Sequence, residues 1–205
     1  MNNIAPPLAL LALAFSPMAN AEEASSDFAE NSITVGVSPF GGSISYAYAF
    51  NEQTTVQATI GGLPTTEFPE SLGFGDIEGT TYTVTGGSSW AGGFVNHRPV
   101  ADADWFRLNF GVGFGIIRND LVDGDGNAYE VDFLEAPVAY TGIGFGFAPK
   151  KGLQLGFDIG ALFGGGATIT PDAANTGEDD SADIAASSIA ADVLPNIQFG
   201  IGWGF

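Results

Sequence analysis

Oxygen-bearing side chains are concentrated in one short, glycine-rich segment of the chain. The run Asp123-Gly124-Asp125-Gly126-Asn127 has the alternating spacing that presents carboxylate and amide oxygens to Ca²⁺. Glu130 and Asp132 follow closely and could complete a coordination shell. The segment is not an EF-hand, because Ala128 replaces the glycine of the sharp turn and Leu134 replaces the glutamate at the twelfth position. The sequence predicts at most a weak Ca²⁺ site, and the simpler interpretation is a solvated hairpin tip.

Two charged residues lie in the interior of strand-like segments that carry few other charges. Arg107 and Asp158 both fall on the face that carries small and polar residues. A charge held away from water is costly unless it has a partner or a solvated position. We therefore predict that Arg107 and Asp158 belong to one polar network in the interior of the molecule.

The sequence contains few candidate catalytic residues. Its one histidine, His97, falls in a predicted turn beside Arg98 and Pro99, which does not favour a catalytic triad. There is no cysteine, so disulfides, thiolate metal sites and cysteine nucleophiles are excluded. We predict no catalytic residue, no cofactor and no enzymatic activity.

The elements that must position these residues have a hydrophobic period of two, which indicates β-strands. The final segment shows it best, because Ile197, Phe199, Ile201, Trp203 and Phe205 alternate with glycine or polar residues. The 30 glycines agree, since each interior glycine costs a helix roughly 1 kcal/mol relative to alanine. About eight strands are predicted, at 32–38, 43–50, 54–62, 79–96, 105–118, 136–148, 152–166 and 194–205.

The two faces of these strands decide the fold class. Ile143, Phe145 and Phe147 share a bulky face, whereas the residues between them are glycine. A soluble sandwich buries its bulky face and carries charge outside, but these strands carry almost no charge. A membrane barrel turns large apolar residues to lipid and small or polar ones inward, on tilted strands of about 9–11 residues. We predict an all-β, up-and-down antiparallel transmembrane β-barrel; a soluble secreted β-barrel binding protein is the alternative.

The N-terminal segment predicts export. Residues 8–15 form an apolar block, Pro17 ends it, and Ala19-Asn20-Ala21 offers a small-x-small cleavage site. The first three residues lack lysine and arginine, which departs from the usual signal peptide. We assign residues 1–21 to a cleaved signal peptide, 22–31 to a short periplasmic leader and 32–205 to the barrel.

The chain is strongly acidic, and its acidic residues are unevenly distributed along the sequence. The net charge of −19 excludes a general nucleic-acid binder, which needs basic side chains for phosphate contacts. Of 24 acidic residues, 16 lie in the three long predicted connections, at 63–78, 119–135 and 167–193. Outer-membrane barrels place long loops outside the cell and short turns in the periplasm. An outer surface this acidic would gather cations within a Debye length of roughly 8 Å.

The C-terminal strand ending in Phe205 resembles the strand that the barrel-assembly machinery recognises. With the signal peptide, the eight-strand layout and the His-x-Pro turn within residues 94–109, the chain resembles the small OmpA/OmpW-like outer-membrane β-barrels. The resemblance implies a bacterial outer-membrane location, with membrane lipid, lipopolysaccharide and the assembly machinery as partners.

Two kinds of function remain open. Eight strands enclose an interior that side chains can fill, yet the predicted inward face is rich in glycine, which also allows sharp strand curvature. The first hypothesis is a structural or surface-interaction barrel whose acidic loops bind cations, lipopolysaccharide through bridging divalent ions, or other cells. The alternative is a narrow channel or carrier for small cationic or hydrophobic solutes.

Overall fold

The computed structural model describes residues 27–69, 73, 75–133, 137–177 and 179–205. The predicted signal peptide, 1–21, and residues 22–26 of the predicted leader lie outside the described residues. Within the described ranges, no helix has the length and apolar character needed to cross a membrane.

Strands dominate the described chain, as the period of two predicts. One short helix, α1, covers Ser181–Ala186, and a single 3₁₀ turn covers Ser188–Ala190. The strands are β1 (Asn31–Ser38), β2 (Gly41–Ala49), β3 (Thr54–Glu67), β4 (Asp76–Ile77), β5 (Thr80–Thr81), β6 (Thr83–His97), β7 (Phe106–Val122), β8 (Ala128–Phe133), β9 (Val138–Gly146), β10 (Gly152–Phe163), β11 (Thr168–Pro171) and β12 (Val193–Gly204).

Eight of these strands close into a ring. Going round the ring, the order is β1, β2, β3, β6, β7, β9, β10 and β12, and each strand is antiparallel to both neighbours. Pairing of β1 with β12 and of β7 with β9 leaves no free edge in the ring. This architecture confirms the predicted eight-stranded, up-and-down β-barrel.

One end of the barrel holds three of the four short turns and the C-terminus, whereas the turn between β1 and β2 lies at the other end. The backbones of Asn31 and Phe205 exchange two hydrogen bonds, of 3.1 and 2.8 Å. Phe28 forms a β-bridge with Lys150, so the last residues of the predicted leader join this end of the barrel. Short turns lie in the periplasm in outer-membrane barrels, and we therefore call this end periplasmic and the other extracellular.

The outward face is apolar on every strand of the ring. Ile60 is 62% exposed, Phe114 56% and Trp203 58%, which is the reverse of a soluble protein. Across neighbouring strands the outward aromatics form a ladder, with ring centroids 6.1 Å apart for Phe145–Phe157 and 4.7 Å for Phe157–Phe199. This surface suits lipid, and it argues against the soluble secreted binding protein.

At the extracellular end, segments predicted as loops contain additional β-structure. β7 continues to Val122, and β8 pairs with it from Ala128 to Phe133, so the segment 119–135 is largely a β-hairpin. β11 extends the same sheet by pairing with β8. β6 begins at Thr83 rather than at 79, because β4 and β5 form a separate small hairpin before it.

Candidate functional site

Aromatic side chains fill much of the lumen. Trp90 and Phe94 of β6, Tyr140 of β9 and Phe147 all line the central cavity. Each ring occupies the space where an opposing residue would place a Cβ atom, and in each case that residue is glycine. At these four positions glycine accommodates a lumenal ring; the pairs are Gly61 with Trp90, Gly111 with Phe94, Gly160 with Tyr140 and Gly156 with Phe147.

A buried ion pair lies against the lumenal side of β9, near the periplasmic end of the barrel. The Nη2 of Arg107 on β7 lies 2.8 Å from both carboxylate oxygens of Asp158 on β10. Asn109 joins them, because its amide donates to Asp158 and its Oδ1 accepts from Arg107 Nε at 3.1 Å. A side chain at Gly144, between the two strands, would collide with both charged groups. The structure thus brings the predicted lumenal pair, Arg107 and Asp158, into one charge-assisted network.

Phe147 closes the network from the periplasmic side. Its backbone has a φ of +50°, an uncommon conformation for a residue with a side chain. This conformation turns the ring inward, where its centroid lies 4.8 Å from the Arg107 guanidinium carbon. The alternation of the sequence predicts Phe147 on the outward face, and that prediction is wrong because the left-handed residues Gly146 and Phe147 break the alternation.

A second arginine, Arg98, is buried beside the first. Its Nε donates to the Asp104 carbonyl at 3.0 Å, its Nη2 to the Phe147 carbonyl, and its Nη1 lies 3.5 Å from the Thr55 hydroxyl. We refer to Arg98, Arg107, Asn109, Phe147 and Asp158 as the lumenal plug. Arg98 is not among the residues predicted from the sequence, where its one signal is its position immediately after a strand.

The plug leaves only a small internal space. A cavity of about 60 Å³ lies in the lumen beside the plug. That volume accommodates a few water molecules, but not a continuous aqueous path. The rings, the ion pair and Arg98 therefore occupy much of the lumen.

The three long connections fold together at the extracellular end. Residues from all three connections are buried in one apolar cluster. The first connection and the start of β6 supply Ile77, Tyr82 and Val84, the β7–β8 hairpin supplies Leu121, Tyr129 and Val131, and the third connection supplies Ile184 and Ala190. Leu121, Val131 and Ile184 are 0% exposed. We call this unit, with β4, β5, β8, β11 and α1, the extracellular cap.

Polar contacts hold the cap connections to one another. The Tyr82 hydroxyl donates to the Asp180 carboxylate at 2.6 Å, and the Asp180 backbone N–H donates to the Tyr129 hydroxyl at 3.2 Å. Burial, and then the Asp180 carboxylate, raise the pKa of Tyr82. Asn175 binds the backbone of Ala128 through both ends of its amide, at 2.8 and 2.9 Å.

The predicted calcium segment forms the tip of the β7–β8 hairpin. Asp123 accepts from the backbone N–H groups of Asp125 and Asn127, at 2.9 and 2.8 Å, and from the Asn127 side chain at 2.8 Å. The Asn127 side chain lowers the pKa of Asp123 most, since it binds the ionised form. Asn127 also accepts from Thr176 and Gly177, which attaches the tip to the third connection.

The remaining predicted ligands face a different partner. Arg118 binds Asp132 at 2.7 and 2.9 Å and Glu130 at 3.0 Å. Arg118 lowers the pKa of Asp132, whereas the adjacent Asp132 carboxylate raises the pKa of Glu130. The structure therefore separates Asp123 and Asn127 from Glu130 and Asp132. Among the described residues, no group of three or more histidine, aspartate or glutamate side chains is placed to hold a metal ion, and the weak Ca²⁺ site stays a prediction.

His97 lies at the periplasmic end of β6. Its Nδ1 is 3.1 Å from the Thr54 hydroxyl, at an exposed position. Nearby, Lys150 binds the Asp104 carboxylate, which raises the pKa of Lys150. The absence of enzymatic activity stays a prediction.

Solved structures with the same architecture share little sequence with this chain. The crystal structure of CarO from Acinetobacter baumannii has a TM-score of 0.63 at 15% identity, covering 86% of this chain and 98% of that one. CarO2 from the same species gives 0.65 at 16%, covering 87% and 99%. A major outer membrane protein from Thermus thermophilus gives 0.55 at 14%, covering 85% and 98%. No protein-family model and no curated protein matches the chain.

These similarities reach across nearly the whole length of each neighbour, and at this identity they show a shared fold. The apolar outward face is an independent observation that points to the same class. The fold, together with its lipid-facing surface, is that of a small bacterial outer-membrane β-barrel.

Proposed function

We propose that this protein acts at the cell surface, through the acidic exterior of its extracellular cap, and that its barrel serves as a closed membrane anchor. The observation that carries the proposal is the common core of the three long connections. Ordering long loops costs conformational entropy, and burial of their apolar residues together offsets that cost. A folded cap presents a fixed surface, as recognition requires.

The charge of that surface favours cationic partners. The connections 63–78, 119–135 and 167–193 contain 16 acidic residues and no lysine or arginine. Arg118, at their border, is already bound to Asp132 and Glu130. The cap therefore lacks free cations for direct contact with lipopolysaccharide phosphates, and we propose that divalent ions such as Ca²⁺ bridge the two.

A binding experiment with matched variants tests this proposal. Neutralising three exposed cap carboxylates, with Glu78→Gln, Asp125→Asn and Asp183→Asn, should weaken Ca²⁺-dependent binding to lipopolysaccharide vesicles at least about threefold. The control neutralises three exposed periplasmic carboxylates, with Asp27→Asn, Glu52→Gln and Asp102→Asn, and should leave binding unchanged. Equal loss in both variants, or binding that persists in EDTA, contradicts the proposal.

The second candidate function is a narrow channel or carrier for small cationic or hydrophobic solutes. The cavity of about 60 Å³ favours it, because a shift of the plug side chains would connect this space to the periplasm. Conductance in a planar bilayer separates the two candidates, since a channel gives reproducible steps and a closed anchor gives none.

The last strand, β12, is the candidate recognition element for assembly into the outer membrane. We propose that the assembly machinery binds β12, whose outward face is apolar up to Phe205. Truncating Phe205 should reduce the folded fraction in the outer membrane, and normal assembly would contradict this role.

A further inference from the structure

Among the described residues, the lining of the lumen cavity carries one more positive charge than negative charge. Three charged side chains line the internal cavity: Arg98, Arg107 and Asp158. Asp158 uses both carboxylate oxygens on Arg107, and Asn109 also donates to it. Asp158 and Arg107 therefore neutralise each other, and the charge of Arg98 remains.

Arg98 has only uncharged oxygens as hydrogen-bond partners in the described part of the chain. They are the carbonyls of Asp104 and Phe147 and, at the limit of hydrogen-bonding distance, the hydroxyl of Thr55. Within the described residues, no carboxylate lies within 4.0 Å of its guanidinium, although the side chain is almost fully buried, at 2% exposure. The Asp104 carboxylate forms its ion pair with Lys150 and acts on Arg98 only at longer range. A buried charge in this position is costly without a counter-ion.

The cavity wall near Arg98 also supplies donors. A guanidinium has five N–H groups, and the three contacts above use one each, so two are left within the described contacts. Ser32, Thr34 and Thr55 place hydroxyl groups among the residues that line the cavity. Thr55 accepts from Arg98, so its own proton is free for another acceptor.

We propose that the lumen cavity beside Arg98 binds a small monovalent anion of halide size. The ion pairs with the Arg98 guanidinium and accepts hydrogen bonds from hydroxyls of the cavity wall. The volume of about 60 Å³ admits a halide and excludes a sugar acid. A cation finds no free carboxylate in the cavity lining, because Asp158 is fully engaged. The site is independent of the acidic cap.

The first test is the thermal stability of the refolded chain in two salts. The protein is refolded at constant ionic strength in sodium gluconate, whose anion is too large for the cavity, or with increasing sodium bromide. Bromide should raise the unfolding temperature along a saturating curve, by about 3–6 °C at ten times its dissociation constant. Arg98→Gln should abolish the rise, whereas Arg118→Gln, the same change in the cap, should retain it.

The second test locates the ion and does not depend on Arg98→Gln folding. Anomalous scattering from crystals of the unmodified protein grown in bromide should give a peak in hydrogen-bonding contact with the Arg98 guanidinium. The double variant Ser32→Ala, Thr34→Val should raise the half-saturating bromide concentration at least about fivefold. A cavity without a bromide peak overturns the proposal. A stabilisation that does not saturate, or that persists in Arg98→Gln, also overturns it and indicates an adventitious ion only.

Discussion

The barrel and the cap share strands but have opposite polarity. On β7 the outward face runs from Phe110 through Phe114 to Ile116 and then changes to Arg118 and Asp120. The inward face changes in the other sense, from Arg107 and Asn109, through three glycines, to the fully buried Leu121. The strand geometry continues without a break, so the inversion records a change of surroundings from lipid to water. We infer that the extracellular boundary of the membrane lies between Ile116 and Arg118.

The two regions are consequently held together by different interactions. In the barrel the interior contains charge-assisted hydrogen bonds, which gain strength where water is scarce. In the cap the interior is a small hydrophobic core, as in a soluble domain. Perturbing one kind of interaction should therefore affect one region and spare the other.

The largest effect is expected from Arg107→Met. The variant leaves Asp158 as a buried charge without its partner, and breaking such a pair costs about 3–5 kcal/mol. The unfolding midpoint of the refolded barrel in urea, followed by its heat-modifiable gel band, should fall accordingly. The matched change Arg118→Met, at a half-exposed pair, should shift the midpoint far less. Equal shifts would remove the distinction between the plug and the cap.

A smaller and local effect is expected from Leu121→Ala. Leu121 is fully buried in the cap core, and such truncations cost about 2–5 kcal/mol. The loss should appear as faster proteolysis of the segments that connect β3 to β6 and β10 to β12, with the barrel still resistant. Val112→Ala, at a lipid-facing position of the same strand, is the control and should leave proteolysis unchanged. A cap variant that lowers the barrel midpoint as much as Arg107→Met would show that the two regions unfold as one.

The smallest effect is expected from pH, through Asp132. Arg118 lowers the pKa of Asp132 in the folded cap. The contribution of Asp132 to the stability of the cap is therefore fully present above the ordinary aspartate pKa of about 3.9, and it is lost as the pH falls through the lower pKa of the folded state. Glu130, with a raised pKa, contributes in the opposite sense and reduces the slope. Protease resistance of the cap should decline below about pH 4, and Asp132→Asn should flatten the decline. If the protease resistance of the cap declines as steeply in Asp132→Asn as in the unmodified protein, Asp132 is not the group responsible.

The barrel was predictable because its signals are local. Alternation in single segments identifies strands and faces, and the same alternation places Arg107 and Asp158 inside. Phe147 was not predictable from alternation, since its inward position depends on a left-handed backbone pair at a turn. The cap was not predictable either, because contacts such as Asn127 with Thr176 join residues far apart in sequence. Glycine on the inward face was ambiguous until the structure placed a lumenal ring against it.

Ion conductance of the refolded chain in a planar bilayer tests the closed barrel most directly. We expect the unmodified protein to insert and remain silent, and the variant carrying Phe147→Gly with Arg107→Ser, which removes the ring and the ion pair of the plug, to give reproducible steps. Reproducible steps from the unmodified protein would contradict the account and make transport the function of the barrel.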